Sequence, residues 1–116
     1  MVKDSEIFVD NMLQQLPSLK TVYDEHIDKN DSLLPHVFMG DLTRFVISES
    51  ENVESRTTLT TLMRYLDDGL RTGSDEVKEL IVVSFVENLL GEVAALRSLK
   101  PLMGPRLRSE VEQICG

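Results

Sequence analysis

Ser74-Asp75-Glu76-Val77-Lys78-Glu79-Leu80-Ile81-Val82-Val83-Ser84-Phe85-Val86-Glu87-Asn88-Leu89-Leu90-Gly91 is the stretch on which the fold turns. A serine suited to capping a helix and two acids suited to its first turn precede Val77, Leu80, Ile81, Val82, Val83, Phe85, Val86, Leu89 and Leu90. These leave few polar positions around the cylinder, and a helix apolar on nearly all sides is a central one. The pattern predicts a buried helix over about 75–90, with Ser84 and Asn88 as its polar exceptions and Gly91 as its end. The apolar run Leu80 to Val86 falls far short of the ~20 residues that a membrane span requires.

Outward from this centre, apolar spacing near 3.6 recurs and no stretch alternates as a strand does. Ser5 to Gln15 reads as a helix bearing Phe8, Val9, Met12, Leu13 and Leu16 on one face, closed by Pro17. Pro17 also suits the start of a second helix with the stripe Leu19, Val22, Tyr23, His26 and Ile27. Past the polar break Asp28 to Ser32, Pro35 opens a third helix that buries Phe38, Leu42, Phe45 and Val46. Gly40 inside it suggests a close helix contact, because glycine there costs ~1 kcal/mol relative to alanine. After the break Ser48 to Asn52, a fourth helix carries Leu59, Leu62, Met63, Leu66 and Leu70, with Gly73 expected as a left-handed stop. Val93 to Leu99 suggests a short helix, and Pro105 begins a last one bearing Leu107, Val111 and Ile114.

The whole chain, 1–116, is therefore expected to be a single all-α domain. Six or seven helices on short loops point to an antiparallel bundle or a compact helical-hairpin stack. The phrases Leu42 to Val46 and Leu62 to Leu66 resemble each other, but their spacing is too short for a two-helix repeat of ~34–47 residues.

Composition bounds the function. The net charge is −8; residues 1–55 hold 11 acids and 4 bases, residues 56–116 hold 9 acids and 8 bases. Nucleic-acid binding rests on Lys and Arg neutralising phosphates, so this balance argues against it, and against anionic membranes likewise. The single cysteine, Cys115, cannot form an internal disulfide and suits a reducing compartment. The acidic start Met1 to Glu6 lacks the basic, then apolar, order of a secretion signal, so a cytoplasmic location is expected.

Catalytic patterns are not found. There is no nucleophile elbow, phosphate loop or dinucleotide fingerprint, and the serines have no base next to them in sequence. Asp67-Asp68 and Asp75-Glu76 read as solvated charge at helix ends. His26 and His36 lie ten apart with no cysteine near them, whereas zinc sites usually take three or four Cys and His ligands. His26 reads as a core histidine and His36 as a surface hydrogen-bonding group, and neither a metal nor a cofactor is expected. Asn88 suits a buried network that fixes helix register, or a bond to a nearby carbonyl.

What survives is an acidic face: Asp24, Glu25, Asp28 and Asp31 crowd one loop, Glu49, Glu51 and Glu54 the next. Such a surface keeps a protein soluble and steers a basic protein partner toward it. Asp24, Glu25, Asp28, Asp31, Glu49 and Glu51 are the expected partner-binding residues of a non-catalytic module. The alternative is a small-molecule or metal-binding helical protein built on His26, His36 and Asp41, and self-association is left open.

Leu34-Pro35-His36-Val37-Phe38-Met39-Gly40-Asp41-Leu42-Thr43-Arg44-Phe45, Ser84-Phe85-Val86-Glu87-Asn88-Leu89 and Leu102-Met103-Gly104-Pro105-Arg106-Leu107 together resemble a family of small bacterial all-helical proteins of unknown function. Some of its members are suspected immunity proteins of toxin systems. The resemblance covers most of the chain and implies a bacterial cytoplasmic helical domain. Its motifs are packing patterns, so it assigns no functional residue.

Overall fold

In a computed structural model that describes residues 2–115, the described chain is all-α and contains no strand. Seven α-helices follow in order: α1 (Asp4–Gln15), α2 (Lys20–Asn30), α3 (Pro35–Glu49), α4 (Arg56–Thr72), α5 (Asp75–Ile81), α6 (Val93–Leu99) and α7 (Pro105–Cys115). A radius of gyration of 13.2 Å is what ~116 residues give when packed around one core. The side chain of Cys115, the thiol discussed above, lies outside the described residues.

The apolar stripes do what their spacing dictates. Leu59, Leu62, Met63, Leu66 and Leu70 of α4 are all buried, as are Phe38, Leu42 and Val46 of α3, with Phe45 half-buried. α5 packs on α1, α3 and α4, which makes it the central element. Its helix is shorter than the sequence predicts, because residues 82–86 widen into a π-turn and 87–89 tighten into a 3₁₀ turn. Val83 and Leu90 consequently face solvent, at 44% and 48% exposure, and the cylinder is not apolar all round. Gly91, at φ 84°, ends it in the left-handed region that favours glycine.

Two other glycines differ from expectation. Gly73 is extended (φ −74°, ψ 166°), and what it supplies is room, since a Cβ there would run into the Gly69 carbonyl and stand 2.8 Å from Val77 Cγ1. Gly40 marks no tight helix contact; a Cβ would meet Asn88 Nδ2 at 3.7 Å and Arg44 at 3.8 Å, ordinary van der Waals distances.

Two helices are capped from a distance. Neither Lys3 before α1 nor Gly104 before α7 offers a side-chain oxygen to the unpaired amides that begin a helix. Glu76, on the first turn of α5, accepts the Ser5 N–H of α1 at 2.8 Å. Asp67 of α4 accepts the Leu107 N–H of α7 at 2.9 Å. These acids were expected to be solvated charge. Asp67 is instead buried, and packing supplies the cap that the local sequence omits.

Candidate functional site

α2 and α3 form an antiparallel hairpin, registered by His26 opposite Asp41 and by a groove whose walls include Val22 with Phe45 and Ser48. α2 ends because Asp31 takes the left-handed conformation (φ 65°) and donates its N–H to the Ile27 carbonyl at 2.8 Å. Aspartate tolerates that conformation better than most residues. Asp31 thus has a structural reason to stand where it does, alongside any role in binding.

The hairpin splits the acidic residues into two groups. Asp24 and Asp28 lie one turn apart on α2, exposed, with Asp31 in the turn beyond them and Glu25 lining the groove. Glu49 and Glu51 sit at and beyond the far end of α3, a 15-residue helix about 22 Å long. Glu49 is half-buried and tied up locally, its Oε1 accepting from the Ser55 hydroxyl at 2.7 Å and the Asn52 amide at 3.3 Å. Two ion pairs form among the described residues, Arg44–Asp41 and Arg71–Asp68, and His26 Nδ1 lies 3.1 Å from Asp41 Oδ2. None of them involves Asp24, Glu25, Asp28 or Asp31, so no α2 acid is tied into an ion pair, although Lys29 shares the groove wall with Glu25.

The groove between α2 and α3 has a volume of about 320 Å³ and alternates in sign along its walls, with Glu25, Lys29, Asp41 and Arg44. Its buried wall is His26, 1% exposed. The His26 ring has a fixed proton position. Leu34 donates its backbone N–H to Nε2 at 3.0 Å, so Nε2 must carry the lone pair. The proton therefore resides on Nδ1 and is donated to Asp41 Oδ2 at 3.1 Å. Asn30 Nδ2 donates to the His26 carbonyl at 2.9 Å rather than to the ring. Both ring nitrogens are thereby committed, and Asp41 is held in turn by Arg44.

His36 faces a different element. Its Nδ1 lies 2.5 Å from the Oγ of Ser84, which is buried. The Ser84 carbonyl, within the π-turn, accepts from Asn88 Nδ2 at 2.8 Å and from Thr43 Oγ1 at 3.3 Å. Asn88 is exposed rather than buried, and its bond is to this carbonyl within its own helical stretch. Ser84 also has a histidine beside it in space, which no neighbour in sequence could reveal across 48 positions. His26 and His36 thus serve separate networks, and among the described residues no group of three His, Cys, Asp or Glu is placed to hold a metal ion.

Two groups titrate away from their usual range. Hydrogen bonds from Ser5, from its hydroxyl and then its backbone N–H, hold the Glu76 carboxyl below the usual 4.5. Burial pushes the Tyr65 phenol up to about 12, and its hydroxyl donates to the Phe8 carbonyl at 2.6 Å. Both fasten α1 to the core rather than arm a site.

These features define a small all-α domain with an acidic helical hairpin and helix ends tied across the core. The chain belongs to the domain family of unknown function DUF7674, whose profile matches residues 9–116. No curated protein and no solved structure matches it.

Proposed function

We propose that this chain is a non-catalytic protein-binding domain that takes a basic partner on the outer face of α2. The observation that carries this reading is the run of exposed, unpaired carboxylates at Asp24, Glu25, Asp28 and Asp31. Clustered like charges repel one another, and a cationic partner relieves that repulsion while the field steers its approach. Glu51 extends the face only if the partner is long enough to reach the far end of the hairpin. Glu49 contributes less, because Ser55 and Asn52 already occupy its carboxylate.

In its sharper form the partner is a basic toxin, and the chain is a bacterial cytoplasmic immunity protein that occludes it. The resemblance of the helical phrases to a family with suspected immunity members supports this form. The reading built on His26, His36 and Asp41 has no comparable support, since the two rings point into different networks.

The test is kinetic. With the partner recovered by affinity capture, stopped-flow mixing at low salt should show that Asp24→Lys, Glu25→Lys and Asp28→Lys combined slow association by at least about tenfold. Asp31→Asn is the fitting change at the left-handed position. An on-rate unchanged by all of these refutes the proposal.

A further inference from the structure

We infer that the α6 face is a docking surface for a second copy of this chain, received through the acidic α2 face. Between 93 and 108 the chain carries Arg97, Lys100, Arg106 and Arg108 and no acid, a local reversal of the molecule's sign. Val93, Leu96, Arg97, Lys100 and Pro101 line a shallow cavity of about 470 Å³ there. Arg108 is held at its edge, donating to the Lys100 carbonyl at 2.9 Å. Val93 is 65% exposed, so aliphatic surface beside Arg97 and Lys100 is open to solvent, and Glu92, the residue before Val93, is exposed as well.

The opposite surface exists on the same chain. At the α2–α3 turn Leu34 and Val37 are 42% and 46% exposed and Asp31 stands in the same turn, with the exposed Asp24 and Asp28 preceding it on α2. Among the described residues no ion pair joins the two faces within one copy. Each face is therefore left open to meet its counterpart on another molecule. The net charge of −8 opposes association at long range. At ~0.15 M salt the Debye length is about 8 Å, so the charges in contact outweigh the distant ones. A patch of this extent belongs with weak interfaces, those under ~1,200 Å² in total.

Sedimentation from about 10 μM to about 1 mM, the range in which weak contacts report, tests it. The weight-average mass of the wild type should rise above the 13.1 kDa of one chain as concentration rises. Arg97→Glu with Lys100→Glu, or Asp24→Lys with Asp28→Lys, should each weaken self-association at least about tenfold. Mixing the two variants should restore it as a one-to-one pair, because each then offers a face complementary to the other's. Circular dichroism and thermal melting establish that both variants are folded. A wild type that stays at the single-chain mass up to 1 mM overturns the inference, and so do variants that associate as the wild type does or mixtures that fail to pair. The basic-face variant keeps its α2 acids, so its on-rate with a basic partner reports separately on the proposed function.

Discussion

Replacing Asp67 with alanine removes the oxygen that caps α7 and leaves the Leu107 N–H, 2.9 Å away in the native chain, without its acceptor. Losing a cap costs about 0.5–2 kcal/mol, and stranding a buried donor about 1–3 kcal/mol, so about 2 kcal/mol is expected. Unfolding entropy near 2.1 cal/mol/K per residue gives 116 residues roughly 0.24 kcal/mol per degree, hence a melting temperature lower by about 8 °C. Gly104 makes the prediction sharper. A Cβ on Gly104 would stand 2.7 Å from Asp67 Oδ1, where a real Cβ essentially never sits, so Gly104→Ala alone should displace the carboxylate and cost a similar amount. In the Asp67→Ala background that methyl enters vacated space and should cost little. Thermal and urea unfolding of the four proteins should therefore give a coupling energy of at least about 1 kcal/mol. Equal costs for Gly104→Ala in both backgrounds would refute the account of Asp67 as the cap of α7.

Gly40→Ala should stabilise the protein by about 1 kcal/mol, raising the melting temperature by about 4 °C, because its Cβ meets nothing nearer than 3.7 Å; a fall would show that the space is needed. Nitrogen-15 NMR of the His26 ring should find its proton on Nδ1, and a neutral ring protonated at Nε2 would remove Leu34 as its donor. For Glu76 the folded carboxyl is held below the usual 4.5, so its contribution is present above that value and is lost as pH falls through the lower folded one. Glu76→Gln should flatten the loss of stability on acidification in that window, and an unaltered acid limb would place the effect elsewhere.

The helices were legible wherever one period decided them. The stripe of α4 needed only spacing three and four apart, and all five of its apolar residues are buried. Pro35 and Gly91 marked their boundaries through backbone restrictions that act within a residue or two. The caps on α1 and α7 were not legible, since Glu76 and Asp67 lie 71 and 40 positions from the amides they accept. A signal did exist: α7 opens after a glycine and α1 after a lysine, neither of which caps with a side chain, so an acceptor had to come from elsewhere. The π-turn and the His36–Ser84 pair likewise arise from how α3 lies against residues 82–86. As for the candidate site, charge and exposure of the α2 acids followed from sequence. Their separation from Glu51 did not, because only the antiparallel hairpin puts the length of α3 between them.

The two long-range caps also bear on how the molecule opens. Peeling α1 away would bare the Ser5 amide and free Glu76, and lifting α7 would do the same to Leu107 and Asp67. Local fraying of the first and last helices is therefore coupled to the centre, and these two amides should exchange their hydrogens at the rate of global unfolding. Exchange at that rate would mean that the outermost segments open in the same transition as the core; faster exchange at Ser5, whose acceptor Glu76 is exposed, would mean that α1 frays on its own.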